Sequence, residues 1–155
     1  MYITQALHRQ IQRAADDIGV IDGDVRLTWV ELGDRVARYA GAIRALGIEP
    51  GDRVAILARN GTHFIEFILG TLWAGAVINP INLRWTADEM AWSLVDCDTR
   101  ILLIAPEFEP LLPEIRAKAP CLQHILAIGE TMAAGVVPRS VEGLTAVLTP
   151  NCPSR

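Results

Sequence analysis

Apolar residues recur along this chain in two alternating rhythms, and each change of rhythm marks an element. From Thr4 to Asp17, Leu7, Ile11, Ala14 and Ala15, with Ile18 just beyond, keep helical spacing. Two short β-prone runs follow, Val20–Ile21 and Val25–Leu27, around Asp22-Gly23-Asp24, and the Asp-Gly pair predicts a hairpin whose two central residues take positive φ. Thr28 with Glu31 three residues on forms a capping box. It opens a helix whose stripe is Leu32, Val36, Tyr39, Ile43 and Leu46, with Arg35, Arg38 and Arg44 off it and Gly47 closing it.

After the turn Pro50-Gly51-Asp52 the rhythm shortens. Arg53–Ala58 is a nearly continuous apolar run, as expected of a strand buried on both faces. Asn60-Gly61-Thr62 starts a helix to about Ala74 that is apolar nearly all round and so reads as buried, and Gly75 ends it. Ala76–Asn79 reads as a second buried strand, stopped by Pro80. Thr86 and Glu89 repeat the capping box and open a helix to about Cys97. Arg100–Ile104 is a third buried strand, Glu107–Ala119 a helix in which Pro110 is tolerable only near the first turn and Pro113 is a hazard, and His124–Ile128 a fourth strand. Short apolar strands alternating with longer helices predict right-handed βαβ units. The expected fold is α/β: a layered, mostly parallel sheet with flanking helices and an N-terminal β-hairpin over residues 1–130. From Thr131 the pattern decays, and 131–155 reads as an irregular tail, as a truncation or frameshift would produce.

Composition narrows the classes. The chain has 155 residues, 51% of them hydrophobic and 21% charged, enough for one globular core. A net charge of −4 in mixed signs, with no basic stripe, argues against nucleic acid as a partner. Cys97, Cys121 and Cys152 are odd in number and far apart, which favours plain thiols in a reducing, cytoplasmic setting over a disulfide framework or a metal knuckle. The most apolar stretch, Phe67–Pro80, is short of the roughly 20 residues a membrane span needs.

Chemistry is sparse. Parallel sheets bind ligands beyond the carboxyl ends of their strands. There, Arg59-Asn60-Gly61-Thr62 offers a helix N-terminus to an anion, but with one glycine and no phosphate-loop motif a plain N-cap turn is favoured. Pro80–Trp85 offers Arg84, whose fork suits a phosphate or carboxylate, although spacing favours a surface pair with Asp88 or Glu89. His8, His63 and His124 share no metal-ligand spacing. Ser93, Ser140 and Ser154 lack a nucleophile-elbow context. Asp16-Asp17, Asp96/Asp98 and Glu107/Glu109 read as solvated helix ends, and Trp29, Trp73, Trp85 and Trp92 as packing. No catalytic and no metal-binding residue is assigned.

Taken as an ordered set, four segments resemble the adenylate-forming enzymes: acyl-CoA synthetases, peptide-synthetase adenylation domains and luciferases. Leu27-Thr28-Trp29-Val30-Glu31-Leu32 is similar to their first core motif, and Leu72–Asn82, centred on Ala74-Gly75-Ala76, to their second. Between these, Leu46-Gly47-Ile48 and Pro50–Ala55 match the family's linker and strand. Beyond them Asn82-Leu83-Arg84-Trp85-Thr86-Ala87-Asp88-Glu89 resembles its Asn-x-Arg, Thr, Glu-Leu pattern, with Met90 for the usual leucine. Asn82, where peptide-synthetase domains usually show aspartate, makes the likeness closer to acyl-CoA synthetases.

The resemblance runs from about Thr4 to Ile128 and implies an incomplete N-terminal subdomain of the adenylate-forming fold. It implies a complete enzyme that uses ATP, Mg and CoA to activate a fatty or aryl carboxylic acid. It gives one residue here a role: Arg84, as a contact to CoA phosphates. The family's Ser/Thr/Gly-rich ATP-phosphate loop, its Thr-Glu pair near the metal, its ribose-binding Asp and its C-terminal Lys have no counterpart in these 155 residues. The expectation is a fragment that holds none of these cofactors and is inactive alone. The alternative is a free-standing, non-catalytic α/β binding or interaction module.

Overall fold

The computed structural model describes residues 3–128, so the expectation for 131–155 lies outside the described residues, as do Ser140, Cys152 and Ser154. The chain forms two compact units, Met1–Gly51 with Asn60–Val77, and Asp52–Arg59 with Ile78–Arg155.

The first unit contains helix α1 (Gln5–Ala14), the hairpin strands β1 (Ile18–Asp22) and β2 (Val25–Thr28), and helices α2 (Trp29–Ala45) and α3 (Thr62–Trp73). The hairpin is antiparallel with Asp22 opposite Val25. Only Gly23 of its two central residues has positive φ, +57°. The both-positive turn expected from Asp-Gly is therefore replaced by one with glycine at the first central position, which demands less of Asp24. At Thr28 both halves of the capping box form: its Oγ1 accepts from the Glu31 N–H, and the Glu31 carboxylate accepts from the Thr28 N–H at 2.8 Å. At the other end Gly47, at φ +86°, lets its own N–H reach the Arg44 carbonyl and that of Ile48 reach Ile43. These are the two bonds of a Schellman motif. The predicted stripe is the buried one: Leu32, Val36 and Ile43 are at most 1% exposed, and Leu32 and Val36 cluster with Leu7, Val20 and Leu27.

Helix α3 departs from expectation. It is not buried all round, since Ile65 is 37% exposed, while the polar Thr62, Glu66 and Thr71 are buried. Tertiary partners account for the inversion. The Tyr39 hydroxyl on α2 lies 3.3 Å from Thr71 Oγ1, and Arg35 on α2 approaches Glu66.

The second unit holds β3 (Arg53–Leu57), β4 (Val77–Pro80), β5 (Thr99–Ile104) and β6 (His124–Ala127), with α4 (Ala87–Asp96) and α5 (Leu112–Lys118). The sheet order is β4-β3-β5-β6, and β5 pairs in parallel with both β3 and β6. The central strands carry the longest apolar runs, and Val54, Ile56, Ile101, Leu102 and Ile104 are fully buried. β4, expected to be buried, lies at the sheet edge with Val77 47% exposed. An edge strand has a neighbour on one side only, so its residues gain less cover than those of β3 or β5. The helix expected over 107–119 is divided. Pro106–Leu111 is a 3-10 turn containing Pro110, and α5 starts at Leu112 with Pro113 in its first turn. A proline there gives up no intrahelical bond, whereas one helix through 107–119 would place Pro113 inside it.

Candidate functional site

Within the second unit the parallel strands direct the loops after β3 and β5 to the same sheet edge. Backbone bonds fix the departing chain: Ala105 N–H donates to Leu57 O at 2.9 Å, and Ile81 N–H to Ile56 O at 2.9 Å. Arg59 Nε lies 3.6 Å from Glu107 Oε1, both side chains being exposed.

The β4–α4 loop is shaped by its own side chains. Asn82 Oδ1 accepts from Arg84 N–H at 3.0 Å, and the Asn82 carbonyl from Trp85 N–H at 3.2 Å. Asparagine thus folds its own backbone into a turn. Leu83 and Trp85 pack on the core cluster, so Arg84 is left exposed. Thr86 then caps α4, with the Glu89 carboxylate returning to the Thr86 N–H at 2.8 Å. The pair that spacing favoured for Arg84 does not form. Glu89 serves the capping box, and Asp88 is held by Lys118, whose Nζ also lies 3.0 Å from Glu114 Oε1. Among the described residues the Arg84 guanidinium has no hydrogen bond or ion pair.

The other candidate, the N-terminus of α3, already has an anion. Asp22 Oδ2 accepts from Thr62 N–H at 2.8 Å and from Thr62 Oγ1 at 3.1 Å. These bonds, backbone first, hold the Asp22 carboxyl below the ordinary aspartate range, helped by nearby His63. The plain-cap reading of this turn holds, but the cap comes from the hairpin, 40 residues away. Alongside is an open groove of about 320 Å³ edged by Ile21, Phe64 and Ile65.

The remaining residues stay apart. The His8 ring meets Trp73 at a tilt of 58°, with centroids 4.4 Å apart, and His124 opens β6. Ser93 and Cys121 are buried, Cys97 is half-buried, and Asp98 pairs with Arg53 at 2.9 Å. Among the described residues no three His, Cys, Asp or Glu side chains gather closely enough to share a metal ion.

Sequence reasoning missed the Arg35–Glu66 contact, Nε to Oε1 at 2.7 Å, with side chains 14% and 3% exposed. It has the distance of an ion pair without the alignment of a hydrogen bond. Desolvation pushes the Glu66 carboxyl up, against the pull of Arg35 and, more weakly, His63. The available signal was a lone carboxylate inside an otherwise apolar helix.

The family profile of the AMP-binding enzymes matches residues 7–147. The chain belongs to the AMP-binding enzyme family. The matched span extends past Ile128, where the likeness in motifs ended. Fatty acid–[acyl-carrier-protein] ligase ScoC of Streptomyces coeruleorubidus is 39% identical over 70% of this chain and 20% of its own length. The 4-hydroxybenzoate–CoA/benzoate–CoA ligase of Rhodopseudomonas palustris is 34% identical over 75% of this chain and 22% of its own. Among solved structures, the N-terminal domain of FACL13 from Mycobacterium tuberculosis superposes with a TM-score of 0.82 at 26% identity, covering 96% of this chain and 39% of that one. The anthranilate CoA ligase AuaEII, in complex with anthranoyl-AMP, gives 0.80 at 26% identity, covering 83% and 25%. The AMP-binding family chain thus spans about a fifth of the length of these two curated relatives, and its fold is that of the N-terminal domain of adenylate-forming CoA ligases. None of its described helices is long and apolar enough to cross a membrane.

Proposed function

We propose that this chain is the N-terminal portion of a cytoplasmic, ATP-dependent acid–CoA ligase and that its 155 residues do not catalyse adenylation by themselves. The observation that carries the reading is the family match over residues 7–147 by a chain that spans only 20–22% of the two curated relatives named above. In the complete enzyme a carboxylate displaces pyrophosphate from ATP to give acyl-AMP, and the CoA thiol then displaces AMP. The relatives' names, a fatty-acid ligase and a benzoate–CoA ligase, support a fatty or aryl acid as substrate.

The residues described here do not fit Mg-ATP. The α3 N-terminus is filled by Asp22, and among the described residues no acidic cluster gathers that could hold the metal. The fit is better for one phosphate of CoA. Arg84 holds a planar fork of donors on a turn fixed by Asn82, at the end of a strand, without a competing carboxylate. Its role is to bind and orient: a preformed charge lowers the ordering cost of a phosphate contact. Residues 1–130 are read as the family's α/β portion, and the family match continues beyond them to residue 147.

Reading the DNA downstream of this segment in all three frames tests the proposal. A Thr-Ser-Gly-Thr-Thr-Gly-like loop encoded there, in any frame, is the expected result. Unrelated sequence in every frame would contradict it.

A further inference from the structure

The groove of about 320 Å³ beside the hairpin is lined by Val20, Ile21 and Asp22 of β1. Its other wall is Asn60, just before α3, with Phe64 and Ile65 in the first turn of that helix. Successive strand residues point to opposite faces of their sheet. A groove that three in a row all line therefore runs along the edge of the strand and not over one face. No residue of β2 lines it, so this is the edge of β1 turned away from β2. The hairpin is a two-stranded sheet, and that edge has no strand beside it. Among the described residues no main-chain hydrogen bond reaches residues 19–22 from outside the hairpin. Asp22 ties the end of β1 to the start of α3 through the Thr62 N–H at 2.8 Å, so both walls stand in place before anything binds. The apolar parts of those walls are uncovered: Ile21 is 61% exposed and Ile65 37%.

We infer that the open edge of β1 and the first turn of α3 form a docking site for an extended segment of a partner protein, apolar at its centre and basic at both ends. Unpaired N–H and C=O groups along a strand's edge are met best by another extended main chain, and the pockets beside the edge select its side chains. Charge selects the ends. Asp16 and Asp17 precede β1, and Asp22 and Asp24 close it. All four are exposed, and residues 14–25 hold no lysine, arginine or histidine. The same aspartates argue against a second copy of this chain. Two β1 strands paired antiparallel would set Asp16 and Asp17 of one against Asp22 and Asp24 of the other, and a parallel pair would set each beside its twin. Like charges opposed across a sheet are destabilising.

The probe is an end-blocked synthetic heptapeptide, arginine at both ends with valine and threonine alternating between them. It is titrated into the 155-residue chain and followed by amide NMR and hydrogen exchange. The amides of residues 18–22 and 60–65 shift, at least one amide among residues 19–22 exchanges more slowly, and binding weakens as salt is raised. Asp24→Lys, an exposed change outside the α3 cap, weakens binding about two- to fivefold. The same peptide with every inner amide nitrogen methylated keeps its charges and side chains but loses its main-chain donors, and binds at least about tenfold more weakly. Equal binding of the methylated peptide, no binding of the parent, or shifts that miss residues 60–65 would each overturn the inference. Two other occupants show without peptide. Amides of residues 19–22 that are all protected at every protein concentration mean that this chain already covers the edge. Protection that grows with protein concentration means that a second copy does, and either result overturns the inference.

Discussion

Gly70 of α3 packs against the edge of the Tyr39 ring on α2, and a methyl group there tests how the first unit is held together. A Cβ built on Gly70 would lie 2.2 Å from Tyr39 Cδ1 and 3.0 Å from Cγ. Tyr39 is 5% exposed and its hydroxyl is tied to Thr71 at 3.3 Å, so the ring cannot swing aside without losing that contact. So close an approach belongs at the severe end of overpacking, about 3 kcal/mol. Alanine returns about 1 kcal/mol as the better helix former. Gly70→Ala therefore costs about 2 kcal/mol net. Gly41 on α2 is the internal control, because its Cβ would meet nothing within 4 Å. Gly41→Ala keeps only the propensity gain and stabilises by about 0.5–1 kcal/mol. Urea unfolding followed by circular dichroism reads both as midpoint shifts at constant m. Opposite signs are expected, with Gly70→Ala recovered by adding Tyr39→Leu. A Gly70→Ala midpoint raised as far as that of Gly41→Ala would refute the close packing of α2 on α3.

Further predictions concern caps and charges. Thr28→Ala and Thr86→Ala each lose about 1 kcal/mol, measured by the same unfolding curves. The cap carboxylates Glu31 and Glu89 are held low by hydrogen bonds from Thr28 and Thr86. Their stabilisation is complete above the ordinary carboxylate range and is lost as the pH falls through their lowered folded values. Glu31→Gln should therefore fall behind the wild type as the pH rises from acid to neutral. Glu66 is held high by burial, so its contribution is complete in acid and is lost as the pH rises through its raised folded value. Glu66→Gln should gain on the wild type over the same rise. Unfolding free energies at a series of pH values distinguish the two, and parallel trends would contradict the opposite burial of these carboxylates.

Much of the fold was legible because it rests on local rules. The two Thr-x-x-Glu boxes, the glycine after α2 and the central apolar strands each signal within a few residues, and each stands where the pattern put it. The misses are of another kind. Asp22 caps α3 across 40 positions, and Arg35 meets Glu66 from a different helix. Local spacing carries no term for such partners. Arg84 shows both sides. Its place on a loop after a strand was readable, yet its nearest carboxylates in sequence are engaged elsewhere because α5 brings Lys118 to Asp88. β4 carries a central-strand pattern, and only the sheet order makes it an edge.

Carboxylate-dependent ATP–pyrophosphate exchange by the purified 155-residue chain, assayed with fatty and aryl acids, tests the central claim most directly. No exchange above the acid-free background is predicted. Robust, acid-dependent exchange would show that the chain performs the adenylation half-reaction by itself and would contradict the account.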